Sequence, residues 1–250
     1  MPAPAETILI LGGTAEANAL VSRLCASEPV PRIVLSLAGR TAAPILPAGC
    51  EIRIGGFGGA DGLAAFLRES GVSWLVDATH PFAAGISRNA AKAAALAGVQ
   101  RIAFVRPAWD KHPDDNWIDV DCLGTARDAL PVGARPFLAL GRQHLAPFAH
   151  RPDLTPVVRM IDPPEPPLAF AAEIVLGRPS SDPATEAALL RRLGVTHLVC
   201  RNSGGATSYA KVAAARRLGL PVVMIARPPA PPPPQAGSLD AVLALLGIAA

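Results

Sequence analysis

Short apolar runs alternating with helix-periodic segments constrain this chain more than any other feature. TILIL (7–11), RIVLSL (32–37), CEIRIG (50–55), WLVDA (74–78) and RIAFVR (101–106) read as strands. Helices fit from about Ala15 to Ala26 and around 61–70 and 83–97. Apolar strands regularly interspersed with helices predict a parallel sheet covered on both faces. The segment from Pro107 to Arg135 is more polar, with DKHPDDNW in its middle, and reads as a connector with at most one short helix. The alternation then restarts: 136–140, 155–160, 172–177, 197–202 and 221–227 are strand candidates, with helices near 183–193 and 207–218, the second closed by Gly219. RPPAPPPPQAG (227–237) reads as a stiff spacer. SLDAVLALLG follows as a terminal helix capped by Ser238. The expectation is an α/β protein of two Rossmann-like parallel-sheet domains: residues 1–106, a connector at 107–135, and a smaller unit at 136–250. A substrate cleft between them is expected.

Composition narrows the function classes. Hydrophobic residues make up 50% of the 250 and charged ones 17%, which fits a compact chain and excludes a disordered one. The net charge is +3, and of 23 basic residues only Lys92, Lys111 and Lys211 are lysines. Wealth in Ala, Arg and Pro with few Lys has the look of a GC-rich coding bias, so the arginines do not argue for nucleic acid. Aromatics are only 4%, with no basic stripe between them. Cys25, Cys50, Cys122 and Cys200 are far apart, which supports neither a metal site nor a disulfide framework. No apolar run approaches the roughly 20 residues of a membrane span. The start, MPAPAETILILGG, has no basic leader pattern, so a cytoplasmic location is expected.

Ligands of open parallel sheets bind beyond the carboxyl ends of the strands. After the first strand stand Gly12, Gly13 and Thr14, opening a helix whose dipole and N–H groups suit a pyrophosphate; the same glycines also suit a tight turn with no ligand. The second strand ends in SLAGRT, without the carboxylate that an NAD-binding unit usually carries there. Ser36, Gly39, Arg40 and Thr41 are donors or close-approach positions suited to a 2′-phosphate, which favours NADP. The third ends at Gly55, Gly56, Phe57, Gly58 and Gly59, where backbone can approach a flat ligand. The fourth ends in DATHP, on the nicotinamide side. Asp77, Thr79 and His80 either cap the next helix, with Pro81 in its first turn, or stand beside the hydride, or both. In the second half, Arg201, Asn202, Ser203, Gly204 and Gly205 lie between a strand and a helix, where an anion nest forms readily. Lys211 adds a nearby charge or is a solvated helix residue. Tyr209 and Lys211 are two apart, so the Tyr-x-x-x-Lys arrangement of short-chain dehydrogenases is absent.

GGTAEA, SLAGR, GGFGG, DATHPFAAGIS, GRQ, RNSGG and SYAKVAAARRLGLPVVMIARP together resemble the precorrin-6A reductase family of cobalamin biosynthesis, over about residues 8 to 228. The resemblance implies NADPH on the first domain, the tetrapyrrole in the cleft, and reduction of the C18–C19 double bond of precorrin-6A to give precorrin-6B. The small-molecule partner carries many acetate and propionate groups, for which the RNSGG turn, Tyr209, Lys211, Arg142 and Arg159 are binding candidates. Neighbouring pathway enzymes are further candidate partners; nucleic acid, membrane and metal are not expected. Asp77, His80, Lys211 or water is left to donate the proton. The alternatives are the cobalt-precorrin-6A reductase of the anaerobic branch, another NADP-linked reductase or epimerase on this scaffold, or a nucleotide-sensing module.

Overall fold

A computed structural model describes residues 6–39 and 43–248. The chain divides into two compact units, one built from residues up to Arg106 together with those from Pro228 onward, the other from Pro107–Arg227. Each holds a six-stranded sheet in which every pairing is parallel.

In the first unit the chain runs β1 (Thr7–Leu11), α1 (Ala15–Cys25), β2 (Arg32–Leu37), β3 (Glu51–Ile54), α2 (Gly59–Glu69), β4 (Trp74–Asp77), α3 (Ala84–Ala97) and β5 (Gln100–Phe104). Alternating side chains of β1 enter opposite layers, as the two-residue period of a strand requires. Ile8 and Ile10 pack with Leu20 and Leu24 of α1, while Leu9 and Leu11 pack with Leu63 and Leu67 of α2 and the alanines of α3.

The second unit contains β6 (Trp117–Val120), α4 (Leu123–Asp128), β7 (Pro136–Leu138), two 3-10 turns (Arg142–His144 and Ala146–His150), β8 (Val157–Met160), β9 (Glu173–Leu176), α5 (Pro183–Arg192), β10 (His197–Arg201), α6 (Ala210–Arg217) and β11 (Val222–Ile225). The chain then returns to the first unit with β12 (Gln235–Ala236) and α7 (Leu239–Leu245), capped by Ser238 as expected.

The strand orders are β12-β5-β4-β1-β2-β3 and β6-β11-β10-β7-β8-β9. Both are the doubly wound 3-2-1-4-5 order with a sixth strand beside the fifth. That sixth strand corrects the expected boundaries. Residues 107–135 are not a connector: Trp117–Val120 pairs with Val222–Ile225 of β11. The C-terminal tail does not belong to the second unit. Ala103 and Val105 donate to the carbonyls of Pro234 and Ala236, so prolines without N–H groups are tolerated at this edge. Val242, Leu243 and Leu246 then join the core of the first unit, each burial worth about 1.5–3 kcal/mol. Arg101 on β5 is buried and holds the tail through Nη2, 2.5 Å from the Pro232 carbonyl.

Candidate active site and cofactor cradle

The shared strand order makes the turns after β1 and β7 equivalent, and likewise those after β4 and β10. The sequence motifs fall on these positions: Gly12–Thr14 and Gly141–Arg142 on the first pair, DATHP and RNSGG on the second. In a doubly wound sheet the first and fourth strands flank the point where the winding reverses, and a crevice opens there.

At the end of β1, Gly12 donates to the Ser36 carbonyl (2.9 Å), and a Cβ on it would stand 2.5 Å from Leu35 Cδ1. Gly13 has φ +97°, a left-handed value that only glycine adopts without strain, and a Cβ there would meet nothing within 4 Å. One glycine is therefore needed for packing, and the next lies under open space at the mouth of α1. Thr14 caps α1, accepting from Ala17 N (3.1 Å), and its hydroxyl donates to the Ala78 carbonyl at 2.8 Å. A donor-rich turn with room above it fits a dinucleotide pyrophosphate. Glu16, in the first turn of α1, puts a negative charge here, and Arg106 offsets it with Nη1 at 2.5 Å. Burial pushes the Arg106 pKa down, and Glu16 opposes that shift. The sequence pattern singled out neither residue; their pairing spans 90 positions.

Ser36 is buried at the end of β2, and Gly39 follows it. Arg40 and Thr41, the candidates for a 2′-phosphate, lie outside the described residues. Past β3, Gly55 donates to the Leu37 carbonyl (2.9 Å), which joins the Gly55–Gly58 turn to the β2 end. Phe57 packs edge-on against Phe66 of α2.

The capping expectation for DATHP is corrected. The N-cap of α3 is Ala83, and it makes no side-chain cap bond. Asp77, which is 4% exposed, instead closes a local turn: its Oδ1 accepts from Thr79 N (3.2 Å) and Thr79 Oγ1 (2.7 Å). Thr79 thus gives its hydroxyl proton to Asp77 and keeps lone pairs for another partner. His80 Nδ1 accepts from Phe82 N (3.2 Å), so the neutral imidazole carries its proton on Nε2. The polar cluster is therefore not explained by the start of the helix.

At the end of β10 the Asn202 amide exchanges two bonds with the Trp109 backbone (2.8 and 3.0 Å), and Trp109 Nε1 donates to the Gly205 carbonyl. A Cβ on Gly204 would come within 2.0 Å of the Pro107 carbonyl. The turn is a tightly tied structure, and the Asn202 side chain is occupied within it. Lys211 is not a solvated helix residue. It is 7% exposed, with Nζ 2.5 Å from the Ser208 carbonyl and 4.9 Å from the Trp109 ring. Burial pushes its pKa down, against the pull of Cys200 and Glu186. Ser203 is buried in the same turn, and Arg201 is half-buried at its start. The Tyr209 hydroxyl takes a bond from Arg216, which also grips buried Asp115.

Arg159 forms a buried pair with Glu186 (2.8 Å; side chains 9% and 2% exposed), whose other oxygen accepts from Ser180 N. Of the expected carboxylate binders, Arg159 is thus committed to an internal partner, while Arg142 is exposed, with Nη2 on the Pro166 carbonyl. The sequence pattern missed Trp109 and Glu186. A tryptophan in a polar segment is a faint signal for the first; a glutamate inside a helix gives none for the second.

Among the described residues no group of His, Cys, Asp or Glu side chains could hold a metal ion, and no helix is long and apolar enough to cross a membrane. Residues 7–247 match the family described as precorrin-6x reductase CbiJ/CobK. A precorrin-6A reductase of Rhodococcus erythropolis is 48% identical over 90% of this chain and 90% of its own length. Another, from Sinorhizobium sp, is 48% identical over 94% and 90%. Relatives named cobalt-precorrin-6A reductases are more distant, that of Priestia megaterium being 32% identical over 88% of this chain and 90% of its own. The solved structure of CobK precorrin-6A reductase superposes with a TM-score of 0.92 at 43% identity, covering 97% of this chain and 96% of that one. By sequence and by fold, the chain belongs to the precorrin-6x reductase family.

Proposed function

We propose that this protein reduces the C18–C19 double bond of precorrin-6A to give precorrin-6B, using NADPH. A reductase family on a Rossmann-type sheet implies a nicotinamide cofactor; the choice of NADPH rests on Arg40, Ser36 and Thr41 with no carboxylate at the β2 end. The observation that carries the reading is the 2.8 Å bond from Thr14 Oγ1 to the Ala78 carbonyl. It ties the turn suited to a pyrophosphate directly to the DATHP loop, where the reacting ring belongs. The greater identity to precorrin-6A reductases than to cobalt-precorrin-6A reductases favours the metal-free substrate. Comparing both tetrapyrroles side by side, by the change in their visible spectra on mixing with enzyme and NADPH, tests that choice.

Bound NADPH supplies the hydride; the protein supplies position and a proton. Gly12, Gly13 and the first turn of α1 hold the pyrophosphate, and Gly39 and Gly55–Gly58 lie toward the adenosine end. At the other end Asp77 orients Thr79, whose lone pairs suit the nicotinamide amide. His80 is the proton donor in this reading: as imidazolium, after Nδ1 takes a proton from solvent in place of the Phe82 N–H bond, it passes its Nε2 proton to carbon and is left neutral. Asp77 Oδ1 is engaged by Thr79, and Lys211 donates to a backbone carbonyl in the other unit. The Arg201–Gly205 turn and Arg142 bind substrate carboxylates. Lys211 and Tyr209 shape that surface from behind, and Arg159 does so through Glu186.

His80→Ala is expected to lower kcat/KM at least about tenfold while changing NADPH affinity much less, since a general acid contributes roughly 10²–10⁴-fold and water replaces it in part. Steady-state rates beside a cofactor titration check this. Wild-type turnover in the folded variant would leave DATHP a purely structural loop.

A further inference from the structure

Arg53, the third residue of β3, has no part in the site described so far, yet both terminal nitrogens of its side chain bind the turn that follows. Nη1 donates to the Gly55 carbonyl at 2.6 Å and Nη2 to the Gly56 carbonyl at 2.8 Å. The guanidinium carbon lies 3.7 Å from the centroid of the Phe57 ring and 5.3 Å from that of Phe66. One planar cation thus holds two consecutive carbonyls and stacks on the next side chain, which a lysine cannot reproduce. The backbone of Phe57 also lies close against α2: a Cβ on Gly62 would come within 1.8 Å of its carbonyl oxygen.

A trans peptide sets each carbonyl and the N–H that follows it on opposite sides. With the carbonyls of Gly55 and Gly56 drawn to Arg53, the N–H groups of Gly56 and Phe57 point away from it. The turn is otherwise poorly suited to holding one shape, because four of its five residues are glycines. Strand β3 is two places from β1, beyond β2, so its end lies on the adenosine side of a dinucleotide whose pyrophosphate sits at α1.

We infer that Arg53 is a positioning residue for the adenosine half of the cofactor: it locks the Gly55–Gly59 turn so that outward N–H groups meet the acceptor atoms of adenine or its ribose. The inference rests on the reading of Gly55–Gly58 as part of the cofactor cradle. Arg53 contributes by preorganisation and not by touching the 2′-phosphate, so NADPH and NADH benefit alike.

Calorimetric titrations of NADPH and NADH, without tetrapyrrole, into wild type, Arg53→Met, Arg53→Lys and Gly58→Val test this. Arg53→Met is expected to weaken both cofactors by about tenfold, in the range lost with hydrogen bonds from a charged group. Arg53→Lys should weaken both severalfold, and it decides the matter if the methionine variant does not fold. In turnover the loss should appear in KM for the cofactor, with kcat at saturation and KM for precorrin-6A within about twofold of wild type. Loss of NADPH affinity alone would overturn the inference, because the guanidinium would then be meeting the 2′-phosphate itself. So would wild-type affinity for both cofactors in a folded Arg53 variant while Gly58→Val is weakened. If Gly58→Val also binds like wild type, the cofactor reading of the turn fails along with it.

Discussion

Gly13→Val is expected to weaken NADPH binding by at least about a hundredfold, measured by calorimetry without tetrapyrrole. Two effects act together. At φ +97° a β-branched residue is strained by about 1–3 kcal/mol, so the turn must either hold that strain or change shape. If it holds, the side chain enters the open space above the turn, where the pyrophosphate would lie. Lys211→Ala is the complementary case: it lies behind the turn of the second unit and should damage tetrapyrrole turnover while sparing the NADPH titration. Equal loss of NADPH affinity in both variants would show that cofactor and substrate are not divided between the two units as proposed.

The largest expected loss of stability is at Arg159→Met. The pair with Glu186 is almost fully buried, and removing the arginine leaves a carboxylate held chiefly by Ser180 N–H. Breaking such a pair from one side costs about 3–5 kcal/mol. Lys211, which interacts electrostatically with Glu186, softens the loss, so the lower end, about 3 kcal/mol, is expected. Arg159→Met combined with Glu186→Leu should recover most of it, because the buried charge goes too. Urea unfolding of wild type and the two variants tells the difference. A single-variant loss under about 1 kcal/mol would mean that the pair is not buried as described, and would return Arg159 to the list of direct carboxylate binders.

How far the fold could be read from sequence depended on where each element obtains its stability. The central strands β1, β2, β4, β10 and β11 were legible because both of their faces are buried, which forces near-continuous Ile, Val and Leu. Of the four edge strands, β3 and β9 were also read, at 50–55 and 172–177, but β6 and β12 were not. Trp117–Val120 carries Asp119 in the middle of a polar stretch, and Gln235–Ala236 is two residues long inside a proline run. Neither has a pattern of its own; each exists because a neighbouring strand had an open edge. For the same reason, closeness in sequence misassigned the tail, since α7 is amphipathic wherever it docks and only packing with α1 places it in the first unit.

The candidate site divides along the same line. Gly12, Gly13, DATHP and RNSGG stood out because strand-to-helix junctions concentrate unusual residues. The internal ties of Asn202, Lys211 and Arg159 to Trp109, Ser208 and Glu186 did not, because they depend on partners chosen by the fold. Arg53 was within reach: an arginine two and three residues before paired glycine carbonyls, with Phe57 next, is a local signal.

In the proposed reaction a hydride and a proton add across one double bond of precorrin-6A. The most direct test is to incubate the protein anaerobically with precorrin-6A and NADPH deuterated at the transferable position of nicotinamide C4, and to weigh the product. One oxidised cofactor per product is expected, with one deuterium from the cofactor and one hydrogen from solvent in the product, and a slower reaction with NADH. NADPH left unconsumed, or a reduced product without cofactor deuterium, would contradict it.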